Sequence, residues 1–174
     1  MNSPRPIYLF LFFISTLTSN AQQNVFDIAR HGSVDTMKSA YAKDGDCINL
    51  ENADGYTPLI LASYANNIEV VRFLANKVYD VDANSNYGTA LMAATYKGFS
   101  DIAEILLKND ANPNLQDEKG TTAAHFAVMF RRYEMIALLK EYKADFNIKN
   151  KQKVSPADYA KMHNDETINK LLNL

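Results

Sequence analysis

The stretch that decides the fold is GYTPLILASYANN, residues 55–67 of a chain of 174. Within it, Thr57 and Pro58 form a typical helix start. The threonine hydroxyl can accept from free amides of the first turn, and proline lacks the N–H that would be left unsatisfied there. The apolar residues that follow predict a buried helix. Tyr56 lies beside the turn and Tyr64 near the helix end, which raises the question of what these two tyrosines face.

The same pattern recurs through the chain. Hydroxyl residues stand at matching places, spaced by 32, 33 and 33 residues: Thr57, Thr89, Thr122 and Ser155. An alanine follows each of them by five residues: Ala62, Ala94, Ala127 and Ala160. Each unit closes on a small polar residue: Asn49, Asp82, Asn114 and Asn147. Separate landmarks that keep one period indicate a repeat architecture.

Each unit reads as a helix, a turn, a second helix and a loop. The second helix is indicated by apolar residues at positions i, i+1, i+3 and i+4, which share one buried face. In the unit that contains residues 55–67 these residues are Val70, Val71, Phe73 and Leu74. The first helices are expected to end near Asn66, Gly98 or Arg131, and the alanine row lets them approach one another closely. These patterns predict an all-α stack of helix pairs.

Taken together, these motifs resemble the ankyrin-repeat family, whose pattern runs roughly G-x-T-P-L-H-x-A-A-x-x-G, then a second helix ending in L-L, then G-A-D-x-N. Residues 55–67 match its Gly, Thr, Pro, Leu and first Ala, and HFA at 125–127 matches its His and Ala. ANPN at 111–114 and KADFN at 143–147 match the closing loop. The resemblance covers residues 24–174. It implies an all-α ankyrin-repeat solenoid of about five helix-turn-helix repeats joined by β-hairpin loops.

The resemblance also divides the chain into units. Their approximate bounds are 24–51, 52–83, 84–116, 117–149 and 150–174. The first unit lacks the Thr-Pro-Leu start and the last stops after its second helix, so both are expected to act as caps. The glycine that usually follows the second helix is replaced by Val78, Asp110 and Lys143. Because positive φ is costly for a β-branched residue, the loop at Val78 is expected to depart from the family geometry.

The first 21 residues differ from the rest and predict a signal peptide. An apolar run at 7–17 is followed by Ser19 and Ala21, small residues before a cleavage point between Ala21 and Gln22. The repeat domain would then cover 22–174. An uncleaved membrane anchor is the alternative, but a helix of this run spans about 16 Å where a bilayer core needs about 30 Å. We therefore expect an exported protein, periplasmic or secreted, without stable membrane insertion after cleavage. A bacterial source fits, and a eukaryotic one stays open.

Composition and spacing argue against several kinds of chemistry. A formal net charge of −2 and the lack of a Lys/Arg block give no reason to expect nucleic acid. His31 and His163 fall at matching places in the first and last units, too far apart to share a metal, and no Cys/His cluster has ligand spacing. The resemblance gives His125 a structural hydrogen bond across the turn. We therefore expect no enzymatic activity, no metal and no cofactor.

Cys47 is the only cysteine, so no intramolecular disulfide can form. A lone thiol is either buried and inert or open to reaction, and burial is the expectation here. The alternative function is a thiol-dependent redox or structural role, which requires a solvent-accessible sulfur of low pKa.

The remaining candidate site is a surface. In repeat solenoids the concave face is the usual binding site. The resemblance implies that loop tips and two variable positions of each first helix line it. The partner-binding candidates are Tyr56, Tyr64, Tyr96, Lys97, Met129, Phe130, Asp54, Asn86 and Lys119. Aromatic residues and methionine are common in interfaces, although the same side chains could instead pack against the loops. The prediction is a monomeric, non-enzymatic module that binds an unidentified protein; a secreted effector that acts on a host protein is a further alternative.

Overall fold

The computed structural model describes residues 25–174, so the predicted signal peptide lies outside the described part of the chain. The helices follow one another in pairs. Their bounds are 25–31 (α1), Val34–Lys43 (α2), Pro58–Tyr64 (α3), Ile68–Ala75 (α4), Ala90–Lys97 (α5), Ser100–Lys108 (α6), Ala123–Met129 (α7), Tyr133–Glu141 (α8), Pro156–His163 (α9) and Glu166–Leu172 (α10). A 3-10 helix, Gly45–Asn49, follows α2.

In the four units that have the hydroxyl residue, the first helix begins directly after it. The Thr57 Oγ1 accepts from the Ile60 N–H at 3.3 Å, and Thr89 and Ser155 cap α5 and α9 in the same way. These caps satisfy amides that have no partner within the helix. The residues that follow the first helices have positive φ: 60° at Asn66, 81° at Gly98, 52° at Arg131 and 48° at Asn164. The predicted helix ends are therefore confirmed.

The helices form two layers. In the inner layer α3 packs on α5, α5 on α7 and α7 on α9; in the outer layer α4 packs on α6, α6 on α8 and α8 on α10. The alanine row lies in the middle of the inner layer and is fully buried: Ala62, Ala94, Ala127 and Ala160. Because an alanine side chain is small, neighbouring inner helices can come close together. The predicted all-α solenoid of helix pairs is confirmed.

The polar residues that close each unit join it to the next. The side-chain oxygen of Asn49 accepts from the Tyr79 N–H at 2.9 Å, that of Asp82 from the Asn112 N–H at 3.0 Å, and that of Asn114 from the Asp145 N–H at 2.7 Å. Each bond spans 30 or 31 residues, close to the length of one unit. The periodic polar residues therefore hold successive repeats in register.

The loops between units end in hairpin turns. Asn52, Asp117 and Asn150 accept, through one side-chain oxygen, from the N–H groups two and four residues ahead. The loop before α5 is one residue shorter, and there Ser85 and Gly88 exchange both backbone hydrogen bonds. That pair is the one isolated β-bridge recorded between residues 25 and 174. The hairpin loops are thus tight turns that carry little β structure.

The second helices end in two different ways. Asp110 and Lys143 take the left-handed conformation that glycine has in the family pattern, with φ of 66° and 61°. Val78 is not among the residues with positive φ. Instead, the N–H groups of Lys77 and Val78 both donate to the Leu74 carbonyl. The predicted departure at Val78 is confirmed, and its cause is the cost of a left-handed conformation for a β-branched residue.

Candidate functional site

A groove of about 500 Å³ lies between the inner helices and the hairpin turns. Its aromatic lining consists of Tyr56, Tyr64, Tyr87, Tyr96 and Phe126. Its polar lining includes Arg30, Asn86, Asp117 and Lys119. A groove of this kind offers apolar area together with a few charged groups, a combination typical of sites that bind a ligand or a partner.

The floor of the groove comes from one position of the inner helices. Leu61, Ala93 and Phe126 each lie four residues after the capping threonine of their helix. Tyr64 and Tyr96 lie one turn further on, at seven residues after the threonine. Residues three apart share a helix face, so both positions point to the same side. Because these two positions recur in successive inner helices, their side chains form one continuous surface.

An aromatic cluster runs along this surface. The rings of Tyr64 and Tyr96 lie nearly parallel, with centroids 6.5 Å apart and an interplanar angle of 13°. The ring of Tyr96 also meets Phe126 and Phe130 edge-on, with centroid distances of 5.8 and 5.2 Å. Tyr64 is 50% exposed, Tyr96 44% and Phe130 43%. The rings of the cluster thus pack partly on one another and are partly open to solvent. This agrees both with a role in partner binding and with a role in packing.

A second aromatic pair lies at the hairpin turns. Tyr56 stacks on Tyr87 with centroids 5.6 Å apart and an interplanar angle of 21°. Burial raises the pKa of the Tyr56 phenol, and the neighbouring Tyr87 and Asp54 act in the same direction. The phenol therefore keeps its proton well above neutral pH and remains a hydrogen-bond donor. This pair forms the turn side of the groove, facing the rings on the helix side.

Charged groups border these rings. The Lys97 ammonium lies 4.7 Å from the centroid of the Tyr64 ring, within the range of a cation–π contact. Arg30 on α1 and Lys119 on the turn before α7 are both exposed and line the groove. One Asp117 oxygen already accepts from the N–H groups of Lys119 and Thr121, at 2.8 and 2.7 Å.

The candidate residues predicted from sequence fall into two groups. Tyr56, Tyr64, Asn86, Tyr96 and Lys119 line the groove. The other four, Lys97, Phe130, Met129 and Asp54, are not among its lining residues. Lys97 and Phe130 contact the lining through Tyr64 and Tyr96. Met129 is 43% exposed at the end of α7, and Asp54 is exposed at a turn.

The lining residues that the sequence prediction missed include two aromatic residues, Tyr87 and Phe126, and the charged Asp117. Phe126 could have been found from its spacing, because it lies three residues before Met129 on the same helix face. Tyr87 takes the place that Gly55 and Gly120 hold in their units, since the turn before α5 is one residue shorter. The spacing of 32 rather than 33 residues between Thr57 and Thr89 carries that signal.

His125 has the structural role that the sequence predicted. Its Nδ1 accepts from the Thr122 N–H at 3.1 Å, and its Nε2 lies 3.1 Å from the Val154 carbonyl. Because Nδ1 is an acceptor, Nε2 carries the hydrogen and donates to Val154. The residue is fully buried, and burial lowers the pKa of the imidazole. His125 therefore joins α7 to the turn that precedes α9.

The environment of the Cys47 thiol bears on the redox alternative. The residue is buried, as expected, although it borders a second cavity of about 400 Å³ next to α1 and α2. Burial raises the pKa of the thiol, and the carboxylates of Asp44 and Asp46 raise it further. A reactive thiol needs a lowered pKa, so burial and the two carboxylates argue against the redox alternative.

Two further properties concern the described residues alone. Within residues 25–174, no three His, Cys, Asp or Glu side chains are grouped so that they could hold a metal ion. No helix in that same part of the chain is both long and apolar enough to cross a bilayer.

Stacked helix pairs with hydrogen-bonded closing loops define the class of helical repeat proteins. The family described as "Ankyrin repeats (3 copies)" matches residues 25–117. The one described as "Ankyrin repeats (many copies)" matches residues 101–139. The chain belongs to the ankyrin-repeat family. Ankyrin repeats are generally protein–protein interaction modules, and proteins built from them are typically non-enzymatic.

Several curated proteins are similar to this chain. An ankyrin repeat protein of fowlpox virus is 36% identical over 106 residues, which covers 60% of this chain and 24% of the viral protein. Ankyrin repeat and SAM domain-containing protein 6 of Mus musculus is 36% identical over 102 residues, which covers 58% of this chain and 12% of the Mus musculus protein. A second fowlpox virus ankyrin repeat protein is 30% identical over 167 residues, which covers 91% of this chain and 46% of the viral protein. The chain thus spans less than half the length of these relatives. Since they are viral and eukaryotic, they do not support a bacterial origin.

Proposed function

We propose that this chain is a non-enzymatic interaction module that binds a protein partner on its concave face. The observation that carries the proposal is the aromatic cluster of the inner helices, in which Tyr64, Tyr96 and Phe130 are 43–50% exposed and Phe126 is partly buried. Exposed apolar area is costly to leave in water, and large exposed patches on monomeric proteins usually mark a partner site. Tyrosine is also enriched among residues that dominate binding energy.

The test is a comparison of captured partners. The immobilised protein is exposed to an extract of its source, and the bound proteins are identified by mass spectrometry. We expect the variant Tyr64→Ala/Tyr96→Ala/Phe130→Ala to lose a protein that the unchanged chain retains. The matched control is Tyr79→Ala/Tyr133→Ala, which removes exposed aromatics from the loop after α4 and from the start of α8. It should retain the partner.

A second variant separates binding from stability, because the three rings contact one another and their removal costs stability. Met129 is 43% exposed at the end of α7. Met129→Glu puts a charge on the concave face without removing a ring. Loss of the partner in both concave-face variants supports the proposal. Retention of the partner by a folded Met129→Glu variant and a folded triple variant would contradict it.

We also propose export, on the sequence of residues 1–21 alone. The intact mass of the protein recovered from its source tests this directly. A mass that corresponds to a chain beginning at Gln22 agrees with cleavage, and a mass that includes Met1 contradicts it.

A secreted effector that acts on a host protein would use the same concave face, so only the identity of the captured partner distinguishes that function. Light scattering of the purified chain tests whether it is a monomer.

A further inference from the structure

Three cations but one lining carboxylate, Asp117, lie at or next to the groove, so its charge is net positive. Arg30, Lys97 and Lys119 lie at or next to its lining. Between residues 25 and 174 the ion pairs within 4.0 Å involve other cations: His31, Lys38, Lys108 and Arg131. The groove is therefore locally basic in a chain whose formal net charge is −2.

The carboxylates near the groove offset this charge only in part. Asp117 belongs to the lining and keeps its negative charge, although one of its oxygens accepts two backbone N–H groups of the turn before α7. Asp54 is exposed at the neighbouring turn and is not part of the lining. A cationic ligand would meet the four tyrosine faces but also three cations. The balance of charge thus favours an anionic partner.

The three cations are distributed along the stack rather than gathered at one point. Arg30 is on α1, Lys97 ends α5, and Lys119 is on the turn before α7. Apolar floor residues, Leu61 and Phe126, lie between the two ends. A single small anion would meet one cation only. An extended segment with separated carboxylates would meet all three.

Accordingly, we propose that the partner enters this groove as an extended acidic segment, with carboxylates at Arg30, Lys97 and Lys119 and apolar side chains on the aromatic floor. This inference rests on the proposed function and specifies its partner. Arg30 lies in the first unit and Lys119 in the fourth, so three repeat steps of about 8–10 Å each, or about 24–30 Å, separate them. An extended chain rises about 3.3 Å per residue, so the segment has about eight residues.

A library of random octapeptides displayed on phage and selected on the immobilised protein tests the inference. The selected peptides should be enriched in Asp and Glu over the starting library, with apolar residues between them. An enriched pool of neutral or basic composition would overturn the inference, as would the absence of any enriched peptide. Neither result touches the proposed function, because a folded partner could still be captured in the experiment with the aromatic variants.

A pair of matched variants then locates the contact. A fluorescein-labelled copy of the most enriched acidic peptide is titrated by fluorescence anisotropy. The groove variant is Arg30→Gln/Lys97→Gln/Lys119→Gln. The control, Lys38→Gln/Lys77→Gln/Lys161→Gln, makes the same change in net charge at exposed positions outside the groove lining.

We expect the groove variant to bind about tenfold more weakly, and the control less than about twofold, because each exposed charge pair contributes modestly. Affinity should also fall as salt rises, since exposed charges are screened. Equal losses in the two variants would show that only net charge matters. That outcome, or unchanged binding by the groove variant, would overturn the inference.

Discussion

Tyr64 and Tyr96 stack on each other across successive repeats, with ring centroids 6.5 Å apart. They occupy the same position of α3 and α5, so the repeat itself brings them together. About half of each side chain remains exposed. Aromatic pairs contribute about 0.5–1.5 kcal/mol beyond their buried area, so this stack stabilises the solenoid modestly. The exposed parts remain available for a partner, and the two roles are compatible.

Replacement of His125 by leucine is expected to lower the free energy of unfolding by about 1–3 kcal/mol. The substitution leaves the Thr122 N–H and the Val154 carbonyl without the partner that each now has, and unpaired buried polar groups are costly. Urea unfolding monitored by circular dichroism measures the loss. Substitution of the exposed His163 by glutamine is the matched control and should change stability little.

The same pair of variants tests a pH dependence. Burial lowers the pKa of His125 in the folded state, so below about pH 6.5 the unfolded chain takes up a proton that the folded chain resists. Stability should therefore fall as pH drops from about 6.5 toward the lower folded pKa, and this part of the decline should vanish in His125→Leu. An undiminished decline in that variant would show that His125 is not its source.

Glycine substitutions should have opposite effects at the ends of two second helices. Lys143 has φ of 61°, a conformation that costs other residues more than glycine, so Lys143→Gly should raise stability by about 0.5–1 kcal/mol. Val78 is not left-handed and packs against the core, so Val78→Gly should lower stability. Thermal unfolding of the two variants side by side measures the contrast. A gain at both sites would mean that the two helix ends have the same geometry.

Asn114→Ala should cost about 1 kcal/mol, because its side chain accepts from the Asp145 N–H of the next repeat at 2.7 Å. Asn147 occupies the same place in the last complete loop, where its side chain bonds locally to Asp145. Asn147→Ala is the matched control and should cost less. Equilibrium unfolding in urea reports both values. Equal losses would argue against a coupling between repeats at this position.

Cys47 should react slowly with a thiol reagent at neutral pH and rapidly after unfolding. The thiol is buried, and burial together with Asp44 and Asp46 raises its pKa, so little thiolate is present. The rate of colour release from an aromatic disulfide, with and without denaturant, measures the difference. Fast labelling of the folded protein would restore the redox alternative.

The repeat and its hydrogen-bonded framework could be predicted from sequence because each depends on local chemistry. Thr57 caps a helix wherever its hydroxyl precedes free amides, and Asn114 lies one period from the backbone that it binds. The role of His125 followed from the family pattern. These features recur in the sequence with the period of the structural repeats, so the sequence pattern alone predicts them.

The groove could be predicted only in part. Tyr56, Tyr64 and Tyr96 were found because they occupy variable positions of the repeat. Tyr87 was missed because the turn that holds it is one residue shorter, and the loss of one residue changes which side chain faces the groove. The distances between stacked rings, and between cations and carboxylates, depend on how neighbouring repeats are placed relative to one another. The sequence of one repeat does not give that placement.

The central claim, that the concave face binds a protein partner, is tested most directly by a photo-crosslink. Tyr96 is replaced by p-benzoylphenylalanine, and the same substitution at the exposed Tyr79 is the control. After irradiation in an extract of the source, the variant at position 96 should give a covalent adduct with one protein, and the variant at position 79 should not. An adduct from position 79 but not from position 96 would contradict the claim.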